Sequence, residues 1–142
     1  VSNHARSGDE SIHNQIYWRY GDYAGIGPGA HGRLTLGGQR FATEAPSAPM
    51  GWLGQVRKDG NGDLERVPLR SEDQFAEFLL MGMRLNEGVD LQRYPDTASD
   101  ILYRNIKTLI DIDMITLNDS RLKVTPRGRP VLNAVLRGLL DG

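Results

Sequence analysis

Glycine is spread so unevenly along this 142-residue chain that it divides the fold before any periodicity is read. Twelve of the 17 glycines precede residue 63 and five follow. Glycine weakens helices and strands and supplies backbone conformations that other residues avoid. The first part is therefore expected to be turn-rich and irregular, and the part beyond residue 70 regular and helical. The glycines also crowd one stretch, HNQIYWRYGDYAGIGPGAHG (13–32), together with histidine, tyrosine and tryptophan. That juxtaposition suits a cofactor pocket, a nucleotide loop or a tight corner of a core.

Local patterns fill in the elements. In the first part, Ser11–Tyr20 reads as a short helix with Ile12, Ile16 and Tyr20 at spacing four. Residues 23–26 (YAGI) read as a buried strand entering the glycine loop. Leu34–Leu36 and Gln39–Thr43 flank Gly37-Gly38, the signature of a β-hairpin. Residues 44–49 read as a linker, Met50–Val56 as a short helix and Leu64–Val67 as a strand.

In the second part, Ser71 and Gln74 form a capping box before Phe75, Phe78, Leu79 and Leu85, with Gly88 placed to end that helix. Ser99 caps a helix bearing Leu102, Ile106, Leu109 and Ile110. Ile115–Leu117 and Leu122–Val124 read as two strands. Thr125 and Pro126 start a last helix whose apolar face is Leu132, Val135, Leu136, Leu139 and Leu140. Helix, helix, two-stranded wing, helix is the order of a winged-helix-like domain.

Charge and composition exclude several classes. A net charge of −1 gives no global field for nucleic acid or an anionic membrane. No apolar run reaches the roughly 18 residues that a membrane helix requires, and no signal peptide is visible. Cysteine is absent, so this chain supplies no disulfide, thiolate nucleophile or Cys-ligated cluster. A cytoplasmic location is the expectation. The opening VSNHARSGDES lacks a starting Met and reads as a cut from a longer protein.

Three constellations bear on chemistry. Gly27–Gly32 matches G-x-G-x-x-G but runs into Arg33-Leu34-Thr35-Leu36, a strand pattern, whereas a dinucleotide site opens a helix. Contact with some other ligand and a strand-to-hairpin corner both stay open. The histidines, His4, His13 and His31, form no His-x-x-x-His pair, so zinc would need carboxylate ligands. His13 shares a helix face with Tyr17, and Trp18 follows. An imidazole beside flat aromatic surface suits haem iron, and equally a satisfied aromatic cluster. Arg121, Lys123, Arg127, Arg129 and Arg137 face only Asp119 over residues 119–137, yet residues 70–142 hold 10 basic and 11 acidic side chains. A solvated face fits that balance better than nucleic acid.

At greater length, residues 2–34 resemble the radical S-adenosylmethionine proteins related to oxygen-independent coproporphyrinogen III oxidase. His13-Asn14-Gln15-Ile16-Tyr17-Trp18 is similar to the H-N-x-x-Y-W motif of the HemW-type haem chaperone branch. EFLLMGMRLNEGVDLQRY (77–94) and MITLNDSRLKVTPRGRPVLNAVL (114–136) resemble the family's C-terminal domain. The resemblance implies an α+β chain: the C-terminal remnant of a partial (β/α) barrel with its hairpin (1–45), a connecting segment (46–70) and a winged-helix-like domain (71–142). It implies a [4Fe–4S] cluster and S-adenosylmethionine in the full-length protein, the cluster's cysteines lying outside this chain.

By resemblance, His13 is the haem-iron ligand, with Asn14, Tyr17 and Trp18 orienting it and walling the ring. Gly25, Gly27, Gly29, Ala30 and His31 line the edge of the S-adenosylmethionine pocket. The implied partners are haem or porphyrin and haem-acceptor proteins. The implied function is a haem chaperone, with coproporphyrinogen III oxidase and a nucleic-acid-binding winged helix as alternatives. The fragment, short of its barrel strands, is expected to self-associate through an exposed edge.

Overall fold

The computed structural model describes residues 5, 6 and 8–141. It mixes helix and sheet. Backbone contacts divide it into two compact units, one of Gly21–Arg70 and one joining the described residues up to Tyr20 with those from Ser71 onward. The break after residue 70 coincides with the change in glycine density. The described residues up to Tyr20 group with the C-terminal unit rather than with the segment reaching residue 45.

The unit of Gly21–Arg70 is built on a hairpin. β1 (His31–Leu36) and β2 (Gln39–Glu44) pair antiparallel with Leu36 opposite Gln39. Gly37 and Gly38 take φ of 57° and 82°, the double left-handed geometry of a turn whose twist matches the strands. β3 (Glu65–Pro68) joins the far side of β2, and α2 (Pro49–Asp59) precedes it. The helix outruns its expected bounds at both ends, since proline is at ease in the first turn, where its missing N–H has no partner to lose.

YAGI is not a strand. Tyr23 makes one isolated bridge to Arg33, and Ile26 is 88% exposed. The chain leaves the sheet because the following loop satisfies itself: Ala30 N–H donates to the Gly27 carbonyl and Gly29 N–H to the Pro46 carbonyl.

Ala45 is the one buried apolar side chain of this unit. Polar contacts take the place of a core. Arg40, 6% exposed, donates from Nη1 to Asp22 Oδ1 at 2.6 Å and from Nη2 to the Gly21 carbonyl at 3.0 Å. Asp22 also accepts from the Thr35 N–H at 2.7 Å and the Thr35 hydroxyl at 2.9 Å. Partial burial works against the Asp22 carboxylate, but the Thr35 and Arg40 contacts outweigh it and hold its pKa below the ordinary value.

The other unit has an apolar core. α3 (Ser71–Gly82) buries Phe75, Phe78 and Leu79. It stops at Gly82, six residues before Gly88, because Arg129 occupies the carbonyls that a continued helix would use. Its guanidinium donates to the carbonyls of Met83, Arg84 and Leu85. β4 (Val89–Asp90) follows, then α4 (Asp100–Asp111), capped by the Ser99 hydroxyl accepting from Leu102 N–H at 3.2 Å. Leu102, Ile106 and Leu109 are buried and Ile110 is partly exposed. β5 (Ile115–Asn118) and β6 (Arg121–Val124) complete a sheet ordered β4-β6-β5.

The last helix begins later than Thr125-Pro126. Thr125 does cap, accepting from Gly128 N–H at 3.0 Å, but what it caps is a turn. Arg129–Val131 form a 3-10 turn, and α5 runs Leu132–Leu140. Pro130 lacks the N–H that would join the two into one helix. Leu132, Val135, Leu136 and Leu139 are buried as expected, whereas Leu140 sits at the surface.

α1 (Ile12–Trp18) buries no residue of its own. Ile12 and Ile16 are 78% and 41% exposed, so the expected apolar face is inverted. Tyr20, just past the helix, ties it down. Its ring is 4% exposed and lies 6.4 Å from Phe78, and its hydroxyl donates to Glu77 at 2.8 Å. Arg93 lies across the Tyr20 and Phe78 rings at 6.0 and 5.2 Å and donates to the Arg19 carbonyl at 2.9 Å. Tyr20 holds φ at 57°, a conformation bulky residues rarely adopt, so packing maintains it.

Replacing Tyr20 by Ala is expected to cost about 3–5 kcal/mol, and by Phe about 0.5–1.5 kcal/mol through the Glu77 contact. Loss of amide-exchange protection at Leu79 and Leu122 measures both. For Asp22, the lowered pKa means that the unfolded chain takes up the proton first. Its stabilisation is full above the ordinary carboxylate value and is lost as pH falls through the lowered one. The Thr35 amide resonance should titrate with a midpoint below that ordinary value. Asp22→Asn should weaken the β1–β2 hairpin by about 1–3 kcal/mol at neutral pH, read from exchange of its amides.

Candidate functional site

α1 carries the four residues expected around haem, and its helical repeat splits them. Ile12, His13, Ile16 and Tyr17 lie on one side. His13 is exposed, and its ring meets that of Tyr17 edge-on at 4.6 Å between centroids. Asn14 and Trp18 lie on the other side, where with Gln15 they border a cleft. His13 and Tyr17 are therefore together as expected, while Trp18 does not wall the imidazole. Five residues of separation turn a helix by about 500°, which carries Trp18 well round from His13.

The cleft has a volume of about 570 Å3 and lies within one unit. Opposite α1 it is bordered by Arg84 and Leu85, from the turn after α3, and by Arg129. At one end Arg19 and Glu87 form a two-pronged ion pair, 3.1 Å from Nε to Oε1 and 3.4 Å from Nη2 to Oε2. Sequence reading did not single out Arg84 or Arg93, and took Arg129 only as one member of a basic cluster. Their roles depend on carbonyls and rings 15 to 74 residues away, or on a cleft closed by distant segments, and no local pattern signals either.

The glycine loop belongs to the other unit. Gly25 and Gly32 pass backbone against backbone: a Cβ on Gly25 would stand 2.6 Å from the His31 carbonyl oxygen, and one on Gly32 2.5 Å from Thr43 Oγ1. Gly27-Pro28-Gly29-Ala30 leads into β1, not a helix. The N–H groups of Gly29 and Ala30 are already donated to carbonyls, so these two are not available to cradle a phosphate. His31 is exposed at the start of β1. His4 lies outside the described residues.

Among the described residues no three His, Asp or Glu side chains gather as a metal set, and no helix is long and apolar enough to cross a membrane. Of the basic cluster, Arg129 is engaged with carbonyls and Arg121 stands 3.7 Å from Asp90.

Comparison with known proteins agrees with the motif. A family model for the HemN C-terminal domain matches residues 69–131. The chain is 34% identical over 152 residues to "Radical S-adenosyl methionine domain-containing protein 1, mitochondrial" of Bos taurus, covering 99% of this chain and 34% of that protein. It is 30% identical over 140 residues to "Heme chaperone HemW" of Escherichia coli K12, covering 96% of this chain and 36% of that protein. The chain thus spans about a third of the length of the curated relatives it matches.

Among solved structures, the coproporphyrinogen III oxidase HemN of Escherichia coli has a like fold, with a TM-score of 0.62 at 16% identity over 85% of this chain and 29% of that one. A matched domain and homologues along nearly the whole chain converge: the chain carries a HemN C-terminal domain and is homologous to the HemW haem chaperones and to radical S-adenosyl methionine domain-containing protein 1.

Proposed function

We propose that the intact protein binds haem through His13 and passes it to acceptor proteins, a reading that the name haem chaperone, carried by its HemW relatives, supports. One observation carries the reading: the outward side of α1 presents an exposed imidazole, edge-on to Tyr17, between two exposed isoleucines. These residues fit the group. Haem supplies an iron that takes a neutral imidazole nitrogen. His13 offers that nitrogen, and the Tyr17 ring restricts how the imidazole turns. Ile12 and Ile16 provide apolar surface for a flat macrocycle, and covering an isoleucine side chain fully is worth roughly 1.5–3 kcal/mol. Asn14 and Trp18 act from behind, by seating α1 rather than by walling the ring.

The remaining parts are read in the same frame. The order α3, β4, α4, β5, β6 supports a winged-helix-like C-terminal unit with the β5–β6 hairpin as its wing. The glycine loop supports a place at the edge of the S-adenosylmethionine pocket through open space at Gly27 and ordinary clearance at Gly29, with Gly25 closed against the His31 backbone and Ala30 and His31 completing the turn into β1.

Haem titrated into the intact protein and followed at the Soret band tests the reading. His13→Ala is expected to weaken binding at least about tenfold and to change the spectrum of the bound iron. Tyr17→Ala, which removes a ring contact worth about 0.5–1.5 kcal/mol, should weaken it about two- to tenfold. Wild-type affinity and spectrum in His13→Ala would remove His13 from the mechanism.

A further inference from the structure

The cleft on the other side of α1 is not needed for iron ligation, and His13 does not line it. Its charged side chains are equal in number, Arg19, Arg84 and Arg129 against Asp9, Glu10 and Glu87, but they are not all paired. Arg19 and Glu87 neutralise each other. Arg129 makes four hydrogen bonds, to the carbonyls of Met83, Arg84 and Leu85 and to Asn86 Oδ1, every one a neutral oxygen. Arg84 Nη1 is buried and has no hydrogen-bond acceptor. Two half-buried guanidiniums thus border one cleft, and among the described residues neither has a carboxylate within 4 Å. Buried donors of native proteins are nearly always satisfied, so an orphaned guanidinium nitrogen beside a cavity marks a missing acceptor.

The chemistry of that acceptor follows from the walls. Guanidinium selects a planar oxyanion that can accept two parallel hydrogen bonds. The indole of Trp18 and the side chain of Leu85 offer a flat and apolar surface beside it. Asp9 and Glu10 also line the cleft, and their charge disfavours a dianion such as phosphate over a singly charged group. The volume of about 570 Å3 is that of a small-molecule site. We propose that this cleft binds a small monocarboxylate with an aromatic or apolar body, its carboxylate held by Arg84 and its body against Trp18. Arg129 strengthens the field without needing to leave its carbonyls.

The probe is 3-phenylpropionate, titrated into the intact protein by calorimetry or ligand-observed NMR beside its neutral amide and inorganic phosphate. The acid is expected to bind with a dissociation constant on the order of 1 mM, as suits eleven heavy atoms. The amide and phosphate should bind at least about tenfold more weakly, the ratio that one charge-assisted contact confers. Arg84→Gln should abolish the preference for acid over amide, and Arg84→Lys should restore part of it.

Asp9→Asn lies in an irregular segment outside the core and should tighten acid binding about two- to threefold, by removal of one nearby like charge. It serves as the second variant where Arg84→Gln disturbs the fold, which circular dichroism reports. His13→Ala should leave acid binding unchanged, so failure here is separable from failure of the haem reading. Equal binding of acid and amide to the wild type, or unchanged acid affinity in a folded Arg84→Gln variant, overturns the proposal.

Discussion

The burial of one tyrosine governs the functional part of this molecule. α1 is seven residues long and buries none of them, and so short a helix is not stable in water by itself. Tyr20 supplies what the helix lacks. Its ring joins Phe75, Phe78 and Tyr94 in a connected aromatic group, and Arg93 spans its face while binding the backbone at Arg19. The left-handed backbone at Tyr20 lets the ring turn into the core directly after the helix ends. Because α1 is anchored past its C-terminal end, Ile12 and His13 stay exposed while Asn14, Gln15 and Trp18 border the cleft.

The two units solve the stability problem differently. One buries Leu79, Met83, Ile106, Ile115, Leu122 and Leu139 almost completely and rests on apolar transfer. The other has Ala45 as its buried apolar side chain and is organised by Arg40, Asp22 and Thr35. Charge-assisted bonds of that kind give direction and register more than net stability. A sheet so built keeps Leu36 on β1 and Val67 on β3 about half exposed.

The functional reading follows from α1 having two usable sides. The outward side pairs an imidazole with aliphatic surface, the combination that suits a metal-centred apolar ring. The inward side closes a cleft in which two guanidiniums meet no carboxylate among the described residues. About 100° of helical rotation separates His13 from Asn14, so adjacent residues of the helix lie on different surfaces.

Much of the fold was legible in order of residues. The Gly37-Gly38 hairpin, the Ser99 cap and the stripe of Leu132, Val135, Leu136 and Leu139 follow from interactions within a few residues, which local pattern encodes. The kinship with HemN and HemW proteins was legible too, because it resides in residue identity. What failed were the features set by distant partners. α3 ends at Gly82 and Arg129 takes the carbonyls of the Met83–Leu85 turn that follows, YAGI leaves the sheet because the glycine loop bonds to itself and to Pro46, and Ile12 faces outward because Tyr20 does the anchoring.

The amino-acid order by itself determined which residues could bear chemistry and where turns and caps would fall, since propensity and periodicity act over a few bonds. Only the tertiary structure decided which of those residues share a surface, since a guanidinium without a counter-charge or an imidazole open to solvent exists only after remote segments have come together.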